Sequence, residues 1–158
     1  MGHIRYASDV GAPVDVAYAY ASTPAFVPDW LYGVTGFVPL GTPDEGLGAA
    51  YSAKIRLLGG LLRSTVTCEI TEFRRNAVIG YTLRGRVCGT VTLRFDPLGY
   101  ERSVLTSEAD YPPPRGVLGR LCRAPIEAAT KSALRRTEAR LRREIEEFHG
   151  TDLVGRIA

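Results

Sequence analysis

PIEAATKSALRRTEARLRREIEEF, residues 125–148, decides the fold. Its apolar or small positions Ile126, Ala129, Ala133, Thr137, Leu141, Ile145 and Phe148 recur every three or four residues, the spacing of one helix face. The opposite face carries Arg135, Arg136, Glu138, Arg140, Arg142, Arg143, Glu144, Glu146 and Glu147, with Glu138 and Arg142 one turn apart as a favourable pair. At ~1.5 Å per residue this is a rod of ~36 Å, long enough to cross a small sheet. Leu118 and Cys122 fall in register with Ile126, which allows an earlier start and a kink at Pro125.

The chain before this helix reads as strands. His3–Val10 is the first, followed by a short helix over Val14–Ala21, with Pro13 at its start and Asp15 in its first turn. Thr23 is placed to cap a second short helix opened by Pro24 and running toward Trp30. Six more strands follow: 34–40, 48–58, 61–73, 78–84, 90–95 and 103–111. Gly59-Gly60, Arg75-Asn76 and Asp96-Pro97-Leu98-Gly99 punctuate them as turns, and sequential hairpins imply an antiparallel meander. Pro112-Pro113-Pro114 ends the strand region. The fold class expected is α+β, a curved seven-stranded antiparallel sheet wrapped around a long C-terminal helix, with two short helices after the first strand.

Parity along the strands separates two faces. Tyr51, Ala53, Ile55 and Leu57 point one way with Val66, Cys68, Ile70, Ile79, Tyr81, Leu83, Val91, Leu93, Phe95, Leu105, Ser107, Ala109 and Tyr111. Lys54, Arg56, Glu69, Arg84, Arg94, Glu108 and Asp110 point the other way. One sheet face is thus apolar with tyrosines, and the other holds nearly all the charge.

Composition bounds the function. At 158 residues, with 45% hydrophobic and 23% charged residues, the chain supports one folded domain, expected over residues 1–148 with a tail at 149–158. Arginine supplies the positive charge, since Lys54 and Lys131 are the only lysines, and it is scattered along strands and balanced by glutamates on the helix. No nucleic-acid partner is therefore expected. No stretch approaches the ~18 apolar residues of a membrane span, and no signal-peptide core opens the chain, so the cytoplasm is the expected location. Cys68, Cys88 and Cys122 are odd in number and lack a CxxC, which argues for buried free thiols rather than a disulfide framework or zinc site. An exposed apolar strand edge would permit a homodimer as well as a monomer.

The order of elements resembles the START-like, or SRPBCC, helix-grip superfamily, in particular its polyketide cyclase/dehydratase branch. Ala12-Pro13, Pro28-Asp29-Trp30, Gly46-Leu47-Gly48 and Thr92-Leu93-Arg94-Phe95-Asp96-Pro97 carry the likeness, which spans about residues 3–148. The resemblance implies a deep hydrophobic cavity between sheet and long helix that binds lipids, hormones, polyketides or other apolar molecules. It also implies Trp30 and Tyr32 at the cavity rim. The aromatase/cyclases of that branch bring aromatic and arginine side chains into the pocket on the fourth strand. Here Ser64-Thr65-Val66-Thr67-Cys68-Glu69 holds no aromatic, and Arg63 and Glu69 lie on the outward parity, so that pattern does not carry over.

The chemistry left to the inner face is that of hydroxyls and a thiol. His3 and His149 lie near the chain ends, no HExxH, P-loop or helix-opening GxGxxG is present, and no metal or cofactor is expected. Tyr51, Tyr81 and Tyr111 are the candidate catalytic residues, since a phenol can donate a hydrogen bond or a proton to a ketone or enolate. Candidate ligand contacts are Trp30, Tyr32, Ile55, Cys68, Leu83, Leu93, Ser107, Leu118, Cys122 and Ile126, with Asp29 and Arg115 at the mouth. The alternative for each tyrosine is a core residue whose hydroxyl meets a carbonyl or water. Thr130 and Thr137 either touch a ligand or bond their own helix, and the small Ala128, Ala129 and Ala133 leave room under it. The function expected is cyclisation or dehydration of a polyketide-like substrate. A non-catalytic carrier or sensor of a lipid or hydrophobic metabolite is the alternative, and an assembly or stress module a third.

Overall fold

A computed structural model describes residues 2–112 and 116–157, with side chains for all of these except 58 and 151–157. Alternating residues of Gly2–Val10 form strand β1, whose Ile4 and Val10 are buried while His3, Arg5, Ala7 and Asp9 face water. Helix α1 (Val14–Ala21) follows, held at its start by the Ala17 N–H donating to the Pro13 carbonyl at 3.0 Å. A single 3-10 turn at Pro24–Phe26 leads into the short helix α2 (Val27–Trp30). Thr23 sits at the expected cap position, but its hydroxyl turns back to the Ala19 carbonyl of α1 at 2.8 Å.

The remaining strands are β2 (Val34–Pro39), β3 (Ala50–Leu57), β4 (Leu62–Arg74), β5 (Val78–Arg84), β6 (Gly89–Pro97) and β7 (Ser103–Tyr111). They form one seven-stranded curved sheet in the order β1-β7-β6-β5-β4-β3-β2, with every neighbouring pair antiparallel. The turn between β4 and β5 places Asn76 at φ 61°, a left-handed conformation that a short polar side chain tolerates. The Ala77 N–H closes it on the Arg74 carbonyl at 3.0 Å.

The two-faced pattern holds along the sheet. Tyr51, Ala53, Ile55, Val66, Cys68, Ile70, Ile79, Tyr81, Leu93, Phe95, Leu105, Ser107 and Ala109 are buried, and Leu83, Val91 and Tyr111 half-buried. A register shift between Ile70 and Glu72 reverses the parity of β4, so that Phe73 also reaches the inner face, opposite Ile79.

Helix α3 (Gly116–Ile157) is longer than the periodicity of residues 125–148 suggests and carries Pro125 inside it. It runs beside β1 in the same direction: Leu134 clusters with Ile4 and Ala109, Ser8 donates its hydroxyl to Glu138, and the Gly11 N–H donates to Glu146 at 3.0 Å. Leu134, Thr137, Leu141 and Ile145 form its buried stripe. Each aliphatic side chain buried there contributes ~1.5–3 kcal/mol. Phe148 closes the far end against Tyr20 and Phe26.

The first half of α3 departs from expectation. Leu118 is 78% exposed, Cys122 is exposed and Ile126 is 38% exposed, so these residues do not pack against the sheet as the heptad-like register implied. The reason is length. Leu134 already lies over Ile4, two residues from the start of β1, so at ~1.5 Å per helical residue and ~3.3 Å per strand residue roughly 20 Å of helix overhangs the strand ends.

Candidate functional site

Strand register builds the inner face in rows. Tyr6, Ser107, Leu93, Ile79 and Phe73 are consecutive partners across β1, β7, β6, β5 and β4, and Ala109, Val91, Tyr81 and Ile70 form the adjoining row. Helices α1 and α2 lower aromatic rings onto these rows. Tyr18 meets Phe73 and Phe95 edge-on, each at 5.7 Å between centroids, and Trp30 lies 6.4 Å from Tyr81. Among the described residues no Asp, Glu, Lys, Arg or His is buried.

Three polar atoms in this interior find no hydrogen-bond partner among the described residues: the Tyr18 hydroxyl, the Trp30 indole N–H and the Ser107 hydroxyl. Buried and unpaired, each costs about 1–3 kcal/mol. Ser107 and Phe73 belong to one row and Tyr81 to the next, so the groups bordered by them share one patch around Leu93 and Ile79. Trp30 and Ser107 are candidates from the sequence as well. Tyr18 is not, because a tyrosine on a short helix rich in alanine carries no parity signal of the kind strands give.

The candidate tyrosines separate. Tyr51 is fully buried, stacks on Phe37 at 4.2 Å and donates its hydroxyl to the Asp44 carbonyl at 2.5 Å, which makes it a tie for the 41–49 loop. Burial, then the nearby Glu45 and Asp44 carboxylates, pushes its pKa up to about 12. Tyr81 lies in the centre of the inner face, where burial holds its phenol far above the ordinary range. Tyr18 is raised for the same reason, with Arg75 partly opposing. Tyr111 lies half-buried at the sheet end beside the Ile4, Ala109 and Leu134 cluster. Cys68 is fully buried, and desolvation lifts its thiol to about 12, so it is a packing residue and not a thiolate nucleophile. The expectation of buried thiols is met at Cys68 but not at the exposed Cys88 and Cys122.

Tyr32 packs on α3. Its backbone N–H donates to the Thr137 hydroxyl at 3.0 Å, its own hydroxyl accepts from Arg136 at 2.8 Å, and Arg136 and Arg140 lie over its ring, which clamps it to the polar flank of α3. Thr130 donates to the Ile126 carbonyl one turn back. Ile55 and Leu93 are buried on the inner face, and Leu83 borders it. Asp29 is exposed on α2, and Arg115 lies outside the described residues. Half-buried Leu83, Val91 and Tyr111 mark the less enclosed end of the inner face. The site that emerges is therefore Tyr18, Trp30, Tyr81, Leu93 and Ser107, floored by β5–β7 and roofed by α1 and α2.

Residues 1–146 match the family described as polyketide cyclase / dehydrase and lipid transport. Similar solved structures include the Zhui aromatase/cyclase from Streptomyces sp. R1128, at 20% identity and TM-score 0.71, covering 92% of this chain and 93% of that one. A conserved protein from Geobacillus kaustophilus aligns at 13% identity and TM-score 0.72 over 94% and 97% of the two chains. Norcoclaurine synthase from Thalictrum flavum, in complex with dopamine and hydroxybenzaldehyde, aligns at 16% identity and TM-score 0.68 over 92% and 87%. At these identities the structural likeness concerns the fold alone. No curated protein sequence matches the chain.

Proposed function

Since this chain belongs to the polyketide cyclase/dehydrase and lipid transport family, we propose that it takes up an apolar, oxygen-bearing small molecule on the inner face of its sheet and promotes cyclisation or dehydration of a polyketide-like substrate there. One observation carries the reading. The inner face has no buried charge among the described residues, yet the unpartnered Ser107 hydroxyl lies in one of its rows and α1 and α2 set the unpartnered Tyr18 hydroxyl and Trp30 indole N–H over that row and the next. Apolar walls with a few convergent donors suit a carbonyl-bearing hydrophobe.

Tyr18, Tyr81 and Trp30 act as neutral donors, because burial keeps both phenols protonated and an indole N–H only donates. Hydrogen bonds from them fix ketone oxygens and stabilise the enolate that forms during aldol ring closure. Holding an extended chain in one folded geometry supplies several kcal/mol through orientation. Enolate formation and loss of water from the aldol product each release an α proton, which passes to solvent water because no buried base is present among the described residues, while the departing hydroxyl takes its proton from a donor.

A carrier is the second reading. It draws support from Tyr51, whose hydroxyl is committed to the Asp44 carbonyl, and from the lack of any buried carboxylate or histidine among the described residues to act as base. Native mass spectrometry of freshly purified protein, followed by incubation with poly-ketone thioesters, tests both. A bound mass and a shifted product distribution support the enzyme. A bound mass with unchanged products supports the carrier. The absence of both a bound mass and turnover overturns the proposal.

A further inference from the structure

Most arginines on the outer face of the sheet are paired with a carboxylate. Arg5 and Arg94 share Glu108 at 3.8 and 3.6 Å, Arg84 meets Glu69 at 2.5 Å and Arg74 meets Glu72 at 3.6 Å. Lys54, Arg56 and Arg63, on β3 and β4, make no ion pair among the described residues, and the sequence from 46 to 68 contains no Asp or Glu. Arg56 and Arg63 are direct register partners, and Lys54 lies two residues from Arg56 on the same face. Like charges directly opposite on a sheet are destabilising.

The surroundings make room for these cations. A cleft of about 460 Å³ opens there, lined by Thr35, Lys54, Arg56, Arg63 and Thr65 among others. The register shift between Val34 and Gly36 sets Thr35 into it as an extra residue. A Cβ at Gly36 would fall 3.3 Å from Lys54 Cδ, and one at Gly60 would fall 3.1 Å from both Nε and Nη2 of Arg56. Side chains at those two positions would crowd the lysine stem and the guanidinium.

We propose that this cleft is an anion site for a phosphate-type group, either a phosphate monoester or a pyrophosphate. A single carboxylate would leave two of the three cations uncompensated, whereas a tetrahedral dianion accepts from two guanidinium forks, an ammonium and the Thr65 hydroxyl together. A nucleic-acid track would need the positive charge to continue along the face with stacking aromatics, and the arginines on β5, β6 and β1 are already engaged by Glu69 and Glu108. The site is on the opposite side of the sheet from the inner-face patch and stands independently of it.

Inorganic pyrophosphate titrated at constant ionic strength tests the site, read by amide chemical shifts and melting temperature. Saturable shifts at Thr35, Lys54, Arg56, Arg63 and Thr65, with a raised Tm, are expected. Arg56→Gln and Arg63→Gln each weaken the apparent Kd at least tenfold, and Arg63→Gln without pyrophosphate melts no lower than the parent protein, because a repulsion is gone. Vesicles containing phosphatidate distinguish the source: co-sedimentation that pyrophosphate competes away assigns the site to a lipid headgroup, and shifts without sedimentation assign it to a soluble ester. A response matched by sodium chloride alone, or an unchanged Kd in the Arg56→Gln/Arg63→Gln double variant, overturns the proposal.

Discussion

Two buried tyrosines that differ by a single hydrogen bond make opposite demands on the chain. Tyr51 donates to the Asp44 carbonyl, so Tyr51→Phe is expected to cost about 1 kcal/mol of stability and leave ligand affinity unchanged. Tyr18 has no partner, so Tyr18→Phe is expected to leave the free protein as stable or up to about 1 kcal/mol more stable, and to weaken ligand binding roughly fivefold to tenfold. Urea denaturation and titration of the copurifying ligand read the two effects separately. Alkaline behaviour follows from the same burial. Cys68 and Tyr51 are raised from ordinary values of 9.0 and 10.0 to about 12, so above pH ~9 the unfolded chain releases protons that the folded chain retains. Stability should be flat from pH 6 to 8.5 and fall progressively between pH 9 and 12, as checked by denaturant midpoints. Tyr51 also shows where sequence reading stops: strand parity put it inside, but which acceptor its hydroxyl finds depends on a loop that alternation does not describe.

Helix α3 behaves as two structures under one hydrogen-bond pattern. Its second half is anchored by Leu134, Leu141 and Ile145 and by the Thr137 hydroxyl that receives the Tyr32 N–H. Leu141→Ala is therefore expected to cost about 2–5 kcal/mol, whereas Leu121→Ser in the exposed first half should change stability by less than about 0.5 kcal/mol, both read by thermal or chemical denaturation. Hydrogen exchange should divide at the same place, with amides of residues 117–129 exchanging ahead of those from 134 to 146. Periodicity found this helix but not its division, because an apolar stripe of constant spacing looks the same over a sheet and beyond its end. Leu134 was overlooked for a related reason, since Ala133 fits the three-four spacing equally well and only the position of Ile4 decides between them. The strands were the more legible part. Most run over seven or more residues between turns that announce themselves, and even the misjudged edges, such as β6 reaching Gly89 and Pro97, differ by one or two residues. The clamp of Tyr32 on Arg136 was not legible, because adjacency to Trp30 in sequence does not settle which side of α3 the chain passes after α2.

The sheet order sends the chain's first two strands to opposite edges. β2 through β7 follow one another as hairpin neighbours, but β1 pairs with β7, with Gly2 opposite Tyr111. During synthesis at ~5–20 residues per second, the meander from β2 to β6 can zip as it leaves the ribosome, while β1 waits about 5–20 seconds for its mate. α3 waits for β1 in turn, because the strand is the track along which Leu134, Glu138 and Glu146 are seated. Nascent chains stalled before residue 103 should thus leave residues 2–10 open to protease, and release past residue 157 should protect them. A strand made before β2 is completed only by one made after β6, so vectorial assembly leaves the inner aromatic patch without its Ser107 wall until β7 has emerged.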